Sequence, residues 1–166
     1  MPFSLTKIVS GAQTGVDRAA LDAAIFLNIP HGGWCPRGRR AEDGAIPAVY
    51  QLKETTERNY AVRTEKNVVD SDGTLILFLK QISGGTELTE KLTKKHRRPL
   101  LCVDLGQSSL GESVYREVVD WIADNNIGVM NVAGPRESSS PGIAKKVEAF
   151  LVNALRAEFQ IEDRED

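Results

Sequence analysis

The sequence has little of what several protein classes require. It has only 2 cysteines, Cys35 and Cys102, which lie far apart and in no pairing motif, so a disulfide-stapled design is excluded. No apolar run approaches the roughly 20 residues that span a bilayer, and we expect no signal peptide. Neither sign of charge dominates, because 21 basic residues face 23 acidic ones. That balance argues against a protein that coats nucleic acid. We therefore expect a cytoplasmic protein with neither membrane nor nucleic acid among its partners.

Two common phosphate-binding motifs and a metal-ligand set are also missing. No lysine follows a glycine at the Walker spacing, and no Gly-x-Gly-x-x-Gly is present, so NAD or ATP binding by the standard motifs is not supported. His31 and Cys35 are two metal-ligating residue types without a third, so we expect no metal site. Cys102 lies within a predicted strand, which predicts a buried, unreactive thiol.

What the sequence does contain is an alternation of short apolar runs with amphipathic stretches. The runs predict strands at 7–10, 29–32, 74–79, 100–105 and 129–133, and apolar residues recur at helical spacing between them. Strands that alternate with helices predict right-handed crossovers and a parallel sheet. We therefore expect a single α/β domain over residues 1–166, a three-layer α/β/α sandwich whose mostly parallel sheet has about five strands.

Two regions do not fit this alternation. Residues 34–50 are rich in glycine, proline and charge, which predicts a long loop that is functional or mobile. Arg37, in the run Arg37-Gly38-Arg39-Arg40, could clamp a phosphate; alternatively the run is solvated and balanced by Glu42 and Asp43. The acidic tail from about residue 157 is expected to fray.

Three glycine-bearing turns follow predicted strands and open predicted helices. Ligands of α/β sheets bind beyond the carboxyl ends of the strands, where these turns lie. Glycine lets the backbone approach an oxyanion, and a helix N-terminus offers unpaired N–H groups. One such turn alone fits an ordinary strand-to-helix connection, but three at one edge favour a site for phosphate or a phosphate-like group. The candidate residues are Gly11, Ala12, Gln13, Thr14 and Gly15 in the first turn, Ser83, Gly84, Gly85 and Thr86 in the second, and Gly134 and Arg136 in the third.

A polar helix face adds two further candidates. Read as a helix, residues 60–68 place Tyr60, Arg63, Thr64, Asn67 and Val68 on one face. A buried arginine needs a partner. For Arg63 that partner is either an anionic ligand, with Asn67 beside it, or a carboxylate at position 70 or 87.

Candidate catalytic groups are few. Asp17, Glu87 and Glu90 lie in the first turns of predicted helices that face the proposed site. A carboxylate there could act as general acid or base, although the positive helix end favours its ionised form, and capping is the simpler role for Asp17. The sequence suggests neither a Ser-His-Asp nor a Cys-His arrangement.

Several of these segments carry a family resemblance. They are SGAQTGVDRAAL at 10–21, GWCPRGR at 33–39, YAVRTEKNV at 60–68, SDGT at 71–74, SGGT at 83–86 and GPRE at 134–137. Together they resemble the putative molybdenum carrier family, in the circularly permuted branch of the SLOG group. The resemblance implies a Rossmann-like fold and a pocket for a phosphorylated, nucleotide-like ligand such as the molybdenum cofactor. By analogy it also implies a homodimer or homotetramer.

Two functions follow, and both stay open. The first is a binding protein or carrier that holds the ligand by its phosphate. The second is a nucleotide-processing hydrolase like the phosphoribohydrolases of the wider group, whose signature is Pro-Gly-Gly-x-Gly-Thr-x-x-Glu. Gly84, Gly85 and Thr86 match part of that signature, but its proline is missing and Glu90 is one position late. This difference favours the carrier.

Overall fold

The computed structural model describes residues 2–159, which contain nine strands and five α-helices. The strands are β1 (Lys7–Val9), β2 (His31–Gly32), β3 (Trp34–Cys35), β4 (Arg40–Ala41), β5 (Gly44–Ala45), β6 (Lys53–Glu54), β7 (Gly73–Phe78), β8 (Leu100–Asp104) and β9 (Val129–Ala133). The helices are α1 (Val16–Phe26), α2 (Tyr60–Val69), α3 (Gly84–Lys95), α4 (Glu112–Asp124) and α5 (Ile143–Leu155).

Five of the strands form one parallel sheet in the order β2-β1-β9-β7-β8. β7 lies inside this sheet, and its residues Leu75, Ile76 and Leu77 are fully buried. Such a continuous apolar run is typical of a strand covered on both faces. The predicted parallel sheet of about five strands is confirmed.

Helices cover both faces of the sheet. α5 contacts both α1 and α4 over the main core, where Ile143, Val147 and Leu151 of α5 are fully buried at helical spacing. α2 and α3 contact each other, and α3 packs on β7. This is the predicted three-layer α/β/α sandwich. It brings the ends of β1, β7 and β9 to one edge.

The prediction that residues 34–50 form one long loop is wrong, because the strands β3, β4 and β5 lie within this region. β3 pairs with β6, and β4 with β5 forms an antiparallel hairpin. The region has its own small apolar cluster, which includes Cys35, Ile46 and Tyr50. Its apolar residues are too few along the sequence to show the periodicity of a strand or a helix.

Two other expectations need correction. Cys102 is exposed, because β8 is an edge strand of the sheet. Residues 157–159, the first part of the tail that was expected to fray, belong to the 3₁₀ helix Arg156–Phe159, and the Phe159 ring packs edge-on against Phe3 with centroids 5.9 Å apart. The rest of the expected frayed tail lies outside the described residues.

Within residues 2–159, no helix has both the length and the apolar character needed to cross a bilayer.

Candidate functional site

A cavity of about 170 Å³ lies where the loops after β1, β7 and β9 meet. The N-terminus of α3 and one face of α2 complete its wall. A recess of about 10 Å³ adjoins it and is lined in part by Gly11 and Asn67. The candidate residues that line the main cavity are Gln13, Asp17, Arg63, Ser83, Gly84, Gly85, Thr86, Gly134 and Arg136.

The N-terminus of α3 opens into this cavity with its backbone donors free. In residues 2–159, the amides of Gly84, Gly85 and Thr86 have no hydrogen-bond acceptor, and the side chain of the N-cap, Ser83, accepts none. Gly84 has φ +55°, a left-handed conformation that favours glycine. A Cβ at Gly84 or Gly85 would meet nothing within 4 Å, so the space beside these amides is open.

Gln13 contributes a second free donor to the same cavity. Its carboxamide oxygen accepts from the backbone N–H of Thr14 at 3.0 Å and of Glu42 at 2.9 Å. These bonds fix the orientation of the amide group. The side chain is buried, and its Nε2 has no partner in the described part of the chain. A buried N–H₂ without an acceptor is costly and calls for one from a ligand or water.

Arg63 and Asp17 form an ion pair in the wall of the cavity. Nη1 of Arg63 lies 3.5 Å from Oδ2 of Asp17. Burial raises the pKa of Asp17 to about 6, although Arg63 and the nearby Arg136 and Arg18 oppose that rise. The partners expected for Arg63 at positions 70 and 87 are therefore wrong. The expectation that the positive end of the helix keeps the Asp17 carboxyl ionised is also wrong, because burial raises its pKa instead.

Three arginine side chains surround the ring of Tyr60 at the cavity. The guanidinium carbon of Arg40 lies 4.7 Å from the ring centroid, that of Arg63 5.5 Å and that of Arg136 5.6 Å. They come from β4, α2 and the loop after β9. Neither Tyr60 nor Arg40 was expected among the site residues, and no spacing rule could have joined the two. The basic run around Arg37 was the one available signal for Arg40.

Some backbone amides of the first and third turns, and of the helix start beside them, are hydrogen-bonded within the protein. Val16 N–H donates to the Pro135 carbonyl at 3.2 Å, and Glu137 N–H donates to Oγ1 of Thr14 at 3.2 Å. A Cβ at Gly15, where φ is +80°, would lie 2.7 Å from the Glu137 nitrogen. Glycine there permits two loops to approach each other. Of the glycines in the three turns, Gly84 and Gly85 are therefore the two that have open space beside them.

Glu42 joins the hairpin β4–β5 to both of those turns. Its carboxylate accepts from Oγ1 of Thr14, and from the backbone N–H and Oγ of Ser138 at 3.3 and 2.6 Å. These bonds hold the pKa of Glu42 below its usual value. The expectation that Glu42 and Asp43 balance the Arg37–Arg40 run is wrong, since Asp43 pairs with Arg18.

Several other candidates lie outside the main cavity. Ala12 and Thr14 do not line it, and Arg37 is an exposed residue of the 34–50 region. The Asn67 side chain bonds both backbone groups of Trp34, at 2.8 and 2.9 Å.

Two candidate catalytic carboxylates also lie elsewhere. Glu87 and Glu90 pair with Lys91 and Lys94 on the surface of α3. In the described residues no group of three or more His, Cys, Asp or Glu could hold a metal ion.

Comparison with known proteins agrees with this architecture. The chain matches the circularly permutated YpsA SLOG family over residues 8–155. It is 44% identical to a putative molybdenum carrier protein from Syntrophus aciditrophicus, whose crystal structure superposes with a TM-score of 0.89 over 93% of this chain and 98% of that one. No match was found among curated proteins. The resemblance drawn from the sequence is thus confirmed, and the chain belongs to the circularly permutated YpsA SLOG family.

Proposed function

We propose that this protein binds a small phosphorylated molecule and that the phosphate lies at the N-terminus of α3. One observation carries the proposal. The amides of Gly84, Gly85 and Thr86 and Nε2 of Gln13, which have no partner among residues 2–159, share a cavity with the guanidinium groups of Arg63 and Arg136. Donors from separate parts of the chain converge on one small volume.

The chemistry of these donors suits a tetrahedral oxyanion. Backbone N–H groups at a helix N-terminus and the positive end of its dipole favour a bound anion, by up to about 2 kcal/mol in partly buried geometries. Hydrogen bonds to charged groups add roughly 1.5–3 kcal/mol each. Arg63 can turn its guanidinium to the ligand while it keeps Asp17 as a partner, because guanidinium carries five N–H donors.

The molybdenum cofactor is one phosphorylated candidate ligand for this cavity. The residues present fit its phosphate, which would take the α3 amides and the arginines. Neither Cys35 nor Cys102 lines the cavity, so no protein thiolate stands ready to bind the metal there. We propose a carrier that holds such a cargo by its phosphate, in keeping with the name of the Syntrophus relative.

A matched pair of glycine variants tests the proposal. Gly85→Val adds a side chain in open space beside the free amides, so it should block the phosphate without disturbing packing. Gly111→Val is the control, since Gly111 also precedes a helix and its Cβ would meet nothing within 4 Å. By calorimetry with inorganic phosphate, we expect Gly85→Val to weaken binding at least about tenfold, the loss of one charge-assisted hydrogen bond.

Two results would oppose the proposal. One is equal phosphate affinity in Gly85→Val, Gly111→Val and the unmodified protein. The other is an absence of phosphate binding in all three. Native mass spectrometry of the freshly purified protein addresses the cargo separately, since a retained phosphorylated cofactor supports a carrier.

One observation favours a second candidate function, a nucleotide-processing hydrolase. Asp17 is buried in the cavity wall, and a carboxyl with a pKa of about 6 can exchange a proton near neutral pH. Turnover of nucleoside monophosphates that Asp17→Asn abolishes, with phosphate binding retained, would support this function. Glu87 and Glu90 are poorer candidates because neither lines the cavity.

A further inference from the structure

The arginine cluster at Tyr60 is larger than one bound phosphate requires. Arg40, Arg63 and Arg136 lie within 6 Å of one ring centroid, although like charges repel at such distances. Cation–π contact with the ring offsets part of that repulsion, by roughly 0.5–1 kcal/mol for each exposed guanidinium.

Carboxylates compensate the three arginines unequally. Arg63 pairs with Asp17 at 3.5 Å, and Arg136 lies 3.8 Å from Glu42, a carboxylate already bonded to Thr14 and Ser138. Arg40 has no carboxylate within 4.0 Å among residues 2–159. Within the same range its guanidinium donates to one acceptor, the Arg58 carbonyl, at 3.1 Å. The most exposed arginine of the cluster thus carries an unbalanced charge.

The positions of these side chains relative to the cavity differ. Arg63, Arg136 and Tyr60 line the cavity, whereas Arg40 contacts the same ring from the hairpin β4–β5. The Tyr60 ring therefore connects the phosphate site to a guanidinium beyond the cavity wall. The guanidinium carbons of Arg40 and Arg136 lie 4.7 and 5.6 Å from the same ring centroid, and 39% of the Arg136 side chain is exposed, so an anionic group beside the ring has both cations within reach.

We propose that Arg40 and Arg136 form a second anion subsite beside Tyr60, so that the ligand class is a diphosphate. The inference rests on the proposed function, which places the first phosphate at the α3 N-terminus. Guanidinium groups bind phosphate oxygens bidentately, and two of them suit a terminal phosphate that carries two negative charges.

Calorimetry with orthophosphate and pyrophosphate on the full chain tests the subsite. We expect the unmodified protein to bind pyrophosphate at least about tenfold more tightly than orthophosphate, the contribution of one added charge-assisted contact. Arg40→Gln should remove most of that preference and leave orthophosphate affinity within about twofold. Arg37→Gln is the control, because it makes the same charge change at an exposed residue of the same region and should keep the preference.

The possible results distinguish the second anion subsite from the phosphate site at the α3 N-terminus. If orthophosphate binds but pyrophosphate binds no better, or if Arg40→Gln and Arg37→Gln weaken pyrophosphate binding equally, the subsite is overturned and the phosphate site stands. If neither anion binds the unmodified protein, both proposals are overturned. A fall in melting temperature for Arg40→Gln with the pyrophosphate preference intact would assign the cluster to hairpin stability and overturn the subsite.

Discussion

The guanidinium of Arg63 lies over the backbone of Gly11, where a Cβ on residue 11 would be 2.6 Å from its Cζ. The missing side chain of Gly11 therefore makes room for an arginine that lines the cavity. Gly11 was expected to bring its own backbone to a phosphate. The structure instead relates it to Arg63 as the surface on which that side chain rests.

Gly11→Ala should displace Arg63 and weaken anion binding. A methyl group cannot fit below the guanidinium, so Arg63 must shift from the position in which it pairs with Asp17. We expect phosphate affinity to fall about tenfold by calorimetry, as for the loss of one charged hydrogen bond. Gly111→Ala, at an open position, should change nothing. Unaltered affinity in Gly11→Ala would show that the position of Arg63 does not matter for binding.

Anion affinity should depend on pH through Asp17. Its pKa is raised from 3.8 to about 6 by burial, so the carboxyl becomes neutral as the pH falls below about 6. The charged groups around Asp17 are Arg63, Arg136 and Arg18. When the Asp17 carboxyl becomes neutral, Arg63 loses the negative charge with which it pairs. Sulfate suits the measurement because it stays divalent throughout this range.

We expect sulfate to bind several-fold more tightly at pH 5.5 than at pH 7.5. Asp17→Asn should remove this dependence and bind tightly at both values, since it leaves Arg63 uncompensated at every pH. Affinity that is flat with pH in the unmodified protein, or that still varies in Asp17→Asn, would refute the assignment.

Glu42→Gln should destabilise the protein at neutral pH and less so in acid. The Glu42 carboxylate accepts hydrogen bonds from Thr14 and Ser138, which lower its pKa. A lowered pKa means that this stabilisation is present above the ordinary value of 4.5 and is lost as the pH falls through the lower one.

We expect Glu42→Gln to lower the melting temperature at pH 7 by about 3–6 °C, and the gap to shrink as the pH falls below 4.5. Glu57→Gln, at an exposed residue, should have no effect. A gap that is constant with pH would mean that the charge of Glu42 is irrelevant to its role.

Asn67→Ala should affect stability and spare binding. The side chain makes two hydrogen bonds to the Trp34 backbone, at 2.8 and 2.9 Å, and is buried. We expect the free energy of unfolding to fall by about 2–4 kcal/mol, since both backbone groups of Trp34, which are partly buried, lose their partners. Asn125→Ala, at an exposed residue, is the control. If phosphate affinity collapsed while stability held, Asn67 would belong to the ligand site as first expected.

The sequence predicted the sheet well because local patterns determine its elements. The run Leu75–Leu77 is apolar without interruption, and the apolar spacing of α5 is regular. The region 34–50 was missed because distant residues hold it in place. Asn67 lies 33 positions from Trp34, and Ser138 lies 96 positions from Glu42.

The same limit applies to the site. The α3 turn could be recognised from its own four residues, since its donors are backbone amides that follow one another. The cluster around Tyr60 joins three elements across the sheet edge, and the pairing of Asp17 with Arg63 joins α1 to α2. Cys102 was expected to be buried because its strand is apolar, but burial depends on whether a strand lies at the sheet edge, which the run itself does not encode.

Titration of the isotopically labelled protein with phosphate, followed by amide and arginine Nε NMR signals, tests the central claim most directly. We predict that the largest shifts occur at the backbone amides of Gly84, Gly85 and Thr86, at the side-chain amide of Gln13 and at Nε of Arg63. Saturating shifts confined to other parts of the chain, with these signals unmoved, would contradict the account.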